Sequence, residues 1–490
     1  MNSSAPALSL LWHDYETFGA NPAQDFPAQF AAIRTNSALE IIGDPISFYC
    51  QPPPDYLPHP IACLITGITP QFCLARGVAE REFAARIHFE MAAANTTTLG
   101  YNSMRFDDEF SRQLFWRNFF PAYAREFQHG NARFDLIDVM RMAYALRPDG
   151  LHWPSVEGKP SFKLELLAQA NALSHRSAHD ALSDVEVLIA LARKLQTVQP
   201  KLWDYAFSLR RKAAVMELID YASSEPLVHV SQRFSAEKGC LALWLPICAH
   251  PGRANEIIGL DLAAPVEALL QLEVDEIAER IFVRQADLPE GESRIGVKTL
   301  HLNRAPMLAK LSVLRSANLT RLALHDGAEN PLDVQLQRAQ QLRADPNIAN
   351  KLRATFAFND AQNNALQTKI AGVDTSLYAG FLPDSDSHLL TRLRATDPSA
   401  FTGIAKQFRD ARMPELLTRY QARQFPETLK PEQRAQWQRH CRNWLMDGAP
   451  MTKSRYLDEI TAARGSPLAI GKQHVLDALL AYGEDLTAGF

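Results

Sequence analysis

Residues 7–17 read ALSLLWHDYET, and the reading of this stretch decides the fold. Leu8, Leu10, Trp12, Asp14 and Glu16 fall at every second position, so a strand places them on one face. An apolar run ending in two carboxylates on the same side describes a buried strand that delivers charge at its C-terminal end. Residues 97–102 (TTLGYN) predict a second buried strand. Helical spacing then takes over, with Phe106, Phe110 and Leu114 at i, i+4 and i+8. Helices are also predicted over 135–146, 162–171 and 180–195, the last with the apolar stripe Leu182, Val185 and Ile189. Strands followed by helices over about 200 residues predict an α/β unit.

The pattern changes beyond it. From 225 to 330, short apolar runs (LVHVSQRF, CLALWLPI, EIIGLDL, RIFVRQ, VKTLHLNRAPML) alternate with turn signals, the spacing of a small β-rich domain. From about 355 the pattern is helical to the end, broken at Pro383, Pro398, Pro414, Pro426, Pro431 and Pro450. A length of 490 residues accommodates this three-part reading. With 51 Lys+Arg against 55 Asp+Glu the net charge is −4, which excludes a uniformly basic nucleic-acid coat and leaves room only for a local patch. The six cysteines form no C-x-x-C pair, against a structural zinc site or disulfide framework and in keeping with a reducing compartment. The N-terminus has no basic segment before its apolar run, and no stretch is long and apolar enough to span a membrane. The expectation is a cytoplasmic protein.

Three short segments carry chemistry. In Asp14-Tyr15-Glu16, two carboxylates on one strand face repel each other, which a divalent ion with oxygen ligands would relieve; the alternative is a solvated edge strand. Phe106-Asp107-Asp108-Glu109 opens a helix, where an acid also serves as a cap or dipole partner, and periodicity does not separate Asp107 from Asp108. His179-Asp180-Ala181-Leu182-Ser183-Asp184 offers a side chain that titrates near neutrality beside a carboxylate. His179 and Asp184 do not share a helix face, so they meet one substrate only if His179 stands at or before the helix start. The alternative is a capping Asp180 with a solvent-facing Asp184. A phosphate-loop look-alike at 465–472 (GSPLAIGK) fails on spacing and on Gln473, which stands where a Ser or Thr would hold Mg²⁺.

Taken in order, D-x-E, F-D-D and H-x4-D resemble the DEDDh exonuclease superfamily of proofreading nucleases and RNase T. That resemblance implies that Asp14, Glu16, Asp107 and Asp184 hold two divalent ions, Mg²⁺ with Mn²⁺ as a substitute, and that His179 activates the water. More of the chain is similar to the bacterial exodeoxyribonuclease I family: WHDYETFG (12–19), GYNSMRFDDEFSRQLFWRNF (100–119), AHDALSDV (178–185), HLNRAPML (301–308), LYAGFLPDSD (377–386) and RYQARQFPETL (419–429). Little motif-level similarity extends into 430–490. The family implies an RNase H-like exonuclease domain over 1–200, an SH3-like β-rich domain over 201–353 and an all-helical C-terminal domain over 354–490. It also implies processive 3′→5′ hydrolysis of single-stranded DNA to 5′-mononucleotides, a role in repair and recombination, a monomer, and a partner in the acidic tail of single-stranded-DNA-binding protein.

Residues 105–147 hold seven Arg and no Lys, interleaved with aromatics, the composition of a single-strand channel. Phe110, Phe115 and Phe119 are expected in the core instead. By the resemblance, Arg112, Tyr123, Phe127 and Arg141 contact the strand. Ser161 is a plausible N-cap that would put Lys163 in a first helical turn, where a cation opposes the dipole and a bound phosphate would reverse the sign. The family gives that position a substrate-binding role. Two other functions stand beside the leading one: a 3′ exoribonuclease of RNase T type, against which the extra chain length counts, and a non-catalytic single-strand-binding scaffold, which would have no use for four carboxylates and a histidine.

Overall fold

The computed structural model describes residues 6–174, 180–264, 266–366 and 372–488. Strand β1 (Ser9–Thr17) is the predicted one. It pairs antiparallel with β2 (Pro27–Thr35), which pairs antiparallel with β3 (Ile46–Tyr49). On its other side β1 runs parallel to β4 (Thr96–Gly100), and β5 (Ala132–Asp135) completes the order β3-β2-β1-β4-β5. Leu10, Leu11 and Trp12 are buried, and the Trp12 indole N–H donates to Thr35 Oγ1 at 2.9 Å. The sequence reading did not mark β2. Its residues are buried on both faces, so it lacks the polar alternation that betrays a strand.

Helices α1 (Glu80–Ala92) and α2 (Asp107–Arg117) contribute Phe83, Ile87, Leu114 and Phe115 to one core. Phe110, Phe115 and Phe119 are buried, as expected. Then come α3 (Leu136–Leu146), α4 (Leu164–Ala170) and α5 (Ala181–Val198).

The β-rich part is an antiparallel sheet of β6 (Leu227–Val230), β7 (Leu241–Ala249), β8 (Glu256–Asp261), β9 (Val297–His301) and β10 (Met307–Lys310), in the order β9-β8-β7-β6-β10. Gly259 is required by close approach, since a Cβ there would meet the Trp244 indole at 2.3 Å. One apolar run read as part of this β pattern is not a strand: Arg280, Ile281 and Phe282 of RIFVRQ form the last turn of α6 (Val274–Phe282), and Val283 ends it. Ile277, Ala278 and Ile281 bury one face, and Glu273 with Glu276 forms a capping box, a stronger local signal than the apolar run. Helical structure also begins before 355, with α7 (Leu332–Ala344) and α8 (Ile348–Leu366).

The C-terminal helices are α9 (Asp384–Arg394), α10 (Met413–Gln424), α11 (Pro431–Asn443), α12 (Lys453–Arg464) and α13 (Gln473–Thr487). Pro431 opens α11 and Pro414 lies in the first turn of α10, positions where the missing N–H costs nothing. The described residues divide into two compact units, 6–132 with 180–189 and 372–488, and 133–174 with 190–366. Within the first, the C-terminal helices share cores with the β1 sheet. Leu390, Leu416 and Leu417 join Leu11, Phe30 and Phe83, while Tyr456, Ile460, Leu476 and Leu479 join Phe18, Phe26 and Leu64.

A buried ion network fastens the same unit. Arg423 Nε and Nη2 donate to Asp55 at 2.9 and 2.6 Å, and Arg423 Nη1 and Arg419 Nη1 donate to Asp374 at 2.7 and 2.6 Å. The guanidinium of Arg423, then that of Arg419, holds the Asp374 carboxyl well below its ordinary value of 3.8 against the opposing effect of burial. A depressed folded-state value stabilises above the unfolded value, and the contribution disappears as pH falls. Arg423→Ala leaves two buried carboxylates short of a partner, so denaturant unfolding should show a loss of about 3–5 kcal/mol. The wild-type chain should lose midpoint temperature below about pH 4, and Asp374→Asn should flatten that acid limb.

Candidate active site

The pairing of β1 with β4 ends at Trp12–Leu99, while β1 itself runs on to Thr17. Asp14, Tyr15 and Glu16 therefore extend beyond the partner strand on that side. The first residue of α2 meets them there: Asp107 accepts the Tyr15 backbone N–H at 3.1 Å. Asp184, in the first turn of α5, approaches the same strand end. One carboxylate oxygen each from Asp14, Glu16 and Asp184 lie within 4.8 Å of one another. Asp107, almost wholly buried, adds a fourth negative charge to the field on Asp14 and Glu16.

Crowding like charges in a poorly solvated place has a definite cost. Burial first, then Asp107, Glu16 and Asp184, raises the Asp14 carboxyl well above its ordinary range. Burial, followed by Asp184, Asp107 and Asp180, pushes Glu16 up to about 8. The buried His13 imidazole gives no relief, because burial lowers it to about 4 and leaves it neutral near pH 7. Arg125, fully buried, is engaged elsewhere: its Nη2 donates to Asp108 at 2.7 Å and its Nη1 to Thr98 Oγ1 at 3.3 Å. This separates the two adjacent acids that periodicity leaves equivalent. Asp108 is held by Arg125, and Asp107 faces the strand end. An all-oxygen donor set with raised carboxyl values suits a hard divalent cation, which supplies the missing positive charge.

The remaining predicted positions divide. His179 lies outside the described residues. Asp180 caps α5 by accepting from the Leu182 and Ser183 N–H groups at 3.1 and 3.2 Å, so the capping alternative holds for Asp180 while Asp184 turns to the cluster. Lys163 is exposed and occupies the N-cap position of α4 itself. Ser161 is therefore not the cap; its Oγ accepts the Lys163 N–H at 3.4 Å in a local turn, because the helix begins later than its spacing suggested. Arg141, in the same unit as Lys163, pairs with Asp138 at 2.6 Å and lies over the Phe162 ring. Arg112 is buried between Glu109 and Glu126 at 2.6 and 2.7 Å, with Tyr123 half-buried beneath its guanidinium and Phe127 exposed. Arg117 and Arg125, part of the supposed basic channel, are internal ion pairs. The Asp108–Arg125 support was missed because partners 17 residues apart leave no periodic signal.

The Exonuclease family model (RNase_T) matches residues 11–192, the Exonuclease I SH3-like domain 210–358, and the Exonuclease I C-terminal domain 371–486. The chain belongs to the exodeoxyribonuclease I family. Exodeoxyribonuclease I of Escherichia coli K12 is 42% identical over 465 residues, 94% of each chain, and that of Haemophilus influenzae is 39% identical, covering 90% of this chain and 92% of its own. The structure of E. coli Exonuclease I in complex with a dA16 oligonucleotide superposes with a TM-score of 0.91 at 41% identity, covering 98% of this chain and 100% of that one. A moderately thermophilic Exonuclease I from Methylocaldum szegediense gives 0.89 at 40% identity, again over 98% and 100%. A zinc-bound form of the E. coli enzyme with single-stranded DNA is also similar, with a TM-score of 0.88. The chain is thus an exodeoxyribonuclease built as exonuclease, SH3-like and helical C-terminal domains.

The electrostatics set a stability test. A carboxyl raised in the folded state favours folding while protonated, so metal-free stability should fall as pH rises from about 4.5 through about 8. Thermal unfolding at pH 8 in chelator should show Asp14→Asn and Glu16→Gln melting above the wild type, and divalent cations closing that gap. Asp108→Ala should instead lose about 3–5 kcal/mol, because it strands the Arg125 charge.

Proposed function

We propose that the chain hydrolyses single-stranded DNA processively from its 3′ end, releasing 5′-mononucleotides. The observation that carries this reading is the convergence of Asp14, Glu16 and Asp184, with Asp107 beside them, in a chain whose relatives include an enzyme solved on a single-stranded oligonucleotide. Asp14, Glu16, Asp107 and Asp184 would hold two divalent ions, Mg²⁺ or Mn²⁺ in its place. When bound, such ions neutralise phosphate charge and acidify water.

The side chains then divide the work. A water attacks the phosphorus of the terminal linkage, His179 accepts its proton, and the bond to the 3′ oxygen of the preceding nucleotide breaks. No covalent enzyme intermediate is needed. Lys163 binds the strand by charge, Arg112 and Arg141 contact it from within their ion pairs, and Tyr123 and Phe127 stack on its bases, so little sequence preference is expected. Domain boundaries near 200 and 354 place an SH3-like and a helical domain after the nuclease, and these clamp the strand. The acidic tail of single-stranded-DNA-binding protein as partner, a monomeric state, the cytoplasm, and a role in repair and recombination complete the reading.

Digestion of end-labelled oligonucleotides, single- and double-stranded, with and without Mg²⁺, tests it. Expected is metal-dependent loss of mononucleotides from the 3′ end of the single strand only. Asp14→Ala should abolish cleavage and His179→Ala should lower kcat by about 10²–10⁴, both with strand binding retained. Activity should fall as pH drops through the histidine range, because the base must be neutral. Undiminished cleavage by either variant contradicts the assignment.

A further inference from the structure

Strand alternation sends Tyr15 to the opposite face from Asp14 and Glu16. Its ring enters an apolar core, 4.9 Å from Phe30 and in one cluster with Met91, Leu114 and Phe115. Tyr15 is 4% exposed, so its hydroxyl is shut off from water. A phenylalanine would fill nearly the same space without carrying a polar atom into that core, where such an atom is costly unless it is hydrogen-bonded. The hydroxyl finds one specific partner there.

The Tyr15 hydroxyl lies 3.0 Å from Ser111 Oγ, and Ser111, itself wholly buried, directs its own hydroxyl to Met91 Sδ at 3.9 Å. With Ser111 donating onward, Tyr15 donates to Ser111. The backbone N–H of the same tyrosine donates to Asp107 Oδ1 at 3.1 Å. Asp107 and Ser111 stand four apart on α2, so they share one face a single turn apart, about 6 Å along the axis. One residue of β1 is thus gripped at both ends by one turn of α2. The grip opposes a definite force. Asp107 shares the strand end with the Asp14, Glu16 and Asp184 carboxylates, and their repulsion pushes the start of α2 away from β1. Apolar packing has no direction and would let the helix slide or pivot to relieve that repulsion. Two directional bonds one turn apart do not.

We infer that Tyr15 is a positioning residue for hydrolysis: its hydroxyl bond to Ser111, acting with its N–H on Asp107, keeps the Asp107 carboxylate against the edge that Asp14 and Glu16 form. The inference rests on the reading of those carboxylates as a divalent-cation site under Proposed function. It adds a residue whose side chain points away from the site and acts through the helix behind it. Groups that orient metal ligands in this way typically matter about 10–100-fold in metal affinity or activity.

The test compares Tyr15→Phe, Ser111→Ala and the double variant with Tyr456→Phe. Tyr15→Phe should fold, because Ser111 can turn its hydroxyl to the carbonyl one turn back. Tyr456 is the control: it is buried in the other core of the same unit, where its hydroxyl donates to Leu479 O at 2.8 Å, so its loss removes a comparable bond with no link to Tyr15 or Ser111. The readouts are Mn²⁺ affinity of the metal-free protein by calorimetry, strand binding in chelator, kcat and KM on oligo(dT), and the thermal midpoint. Tyr15→Phe should bind Mn²⁺ about ten-fold or more weakly and lower kcat, with KM and strand binding near wild type. The double variant should lose no more than the worse single variant, because the two share one bond. Tyr456→Phe should lower the midpoint and leave Mn²⁺ affinity and kcat unchanged. Wild-type Mn²⁺ affinity and kcat in Tyr15→Phe, additive losses in the double variant, or equal losses in Tyr15→Phe and Tyr456→Phe overturn the positioning role while leaving the nuclease assignment standing. A wild-type chain that binds no Mn²⁺ or digests no strand overturns the functional reading, and the positioning role with it.

Discussion

Like charges crowded at the end of a buried strand are unfavourable by themselves, and much of the first unit is organised to enforce that crowding. Strand β1 is fixed by its apolar half, with Leu10, Leu11 and Trp12 inside the sheet, so its last residues cannot withdraw into solvent. Asp107 is tied to the strand by the Tyr15 N–H, and the Asp180 cap fixes the start of the helix that delivers Asp184. Burial and the neighbouring carboxylates raise Asp14 and Glu16 above their ordinary range, the direction this crowding dictates. Sites that bind cations tightly carry such tension before the ion arrives, because the repulsion is what the ion relieves.

The C-terminal helices take part in this arrangement. Their apolar faces complete both cores of the unit that holds the carboxylates, and Asp55, Arg423 and Asp374 join distant parts of the chain in one buried ion network. The segment 373–381 is fastened to the helix bearing Asp107 through Tyr378, Val373 and the Arg412 side chain. The C-terminal segment and the carboxylate cluster thus share one helix, Asp107–Arg117, as a support.

Much of this was legible in the sequence, and the limits have physical causes. Asp14 and Glu16 could be placed because a strand repeats every two residues. Asp107 and Asp108 could not be told apart, since their partners, the Tyr15 amide and Arg125, lie 92 and 17 residues away. Composition suggested an arginine-lined channel, yet Arg117 and Arg125 neutralise Glu80 and Asp108 internally, because counting charges does not reveal which are already paired. The doubly buried β2 has no alternation, and the start of RIFVRQ is helical because it closes a helix whose capping box, Glu273 with Glu276, lies upstream of the apolar run. Residues 430–490 offered few motifs, but the Exonuclease I C-terminal match runs to 486 and their helices fill a core with Phe18 and Leu64, a contact no local pattern encodes.

Everything in the first unit turns on whether the strand-end carboxylates hold a cation. Calorimetric titration of Mn²⁺ into the metal-free protein at pH 7, repeated in buffers of different ionisation enthalpy, measures binding and proton release together. Saturable binding should expel protons from the raised carboxyls, and Asp14→Asn should bind more weakly and release fewer protons. Binding without proton release, or identical isotherms for the wild type and Asp14→Asn, would contradict it.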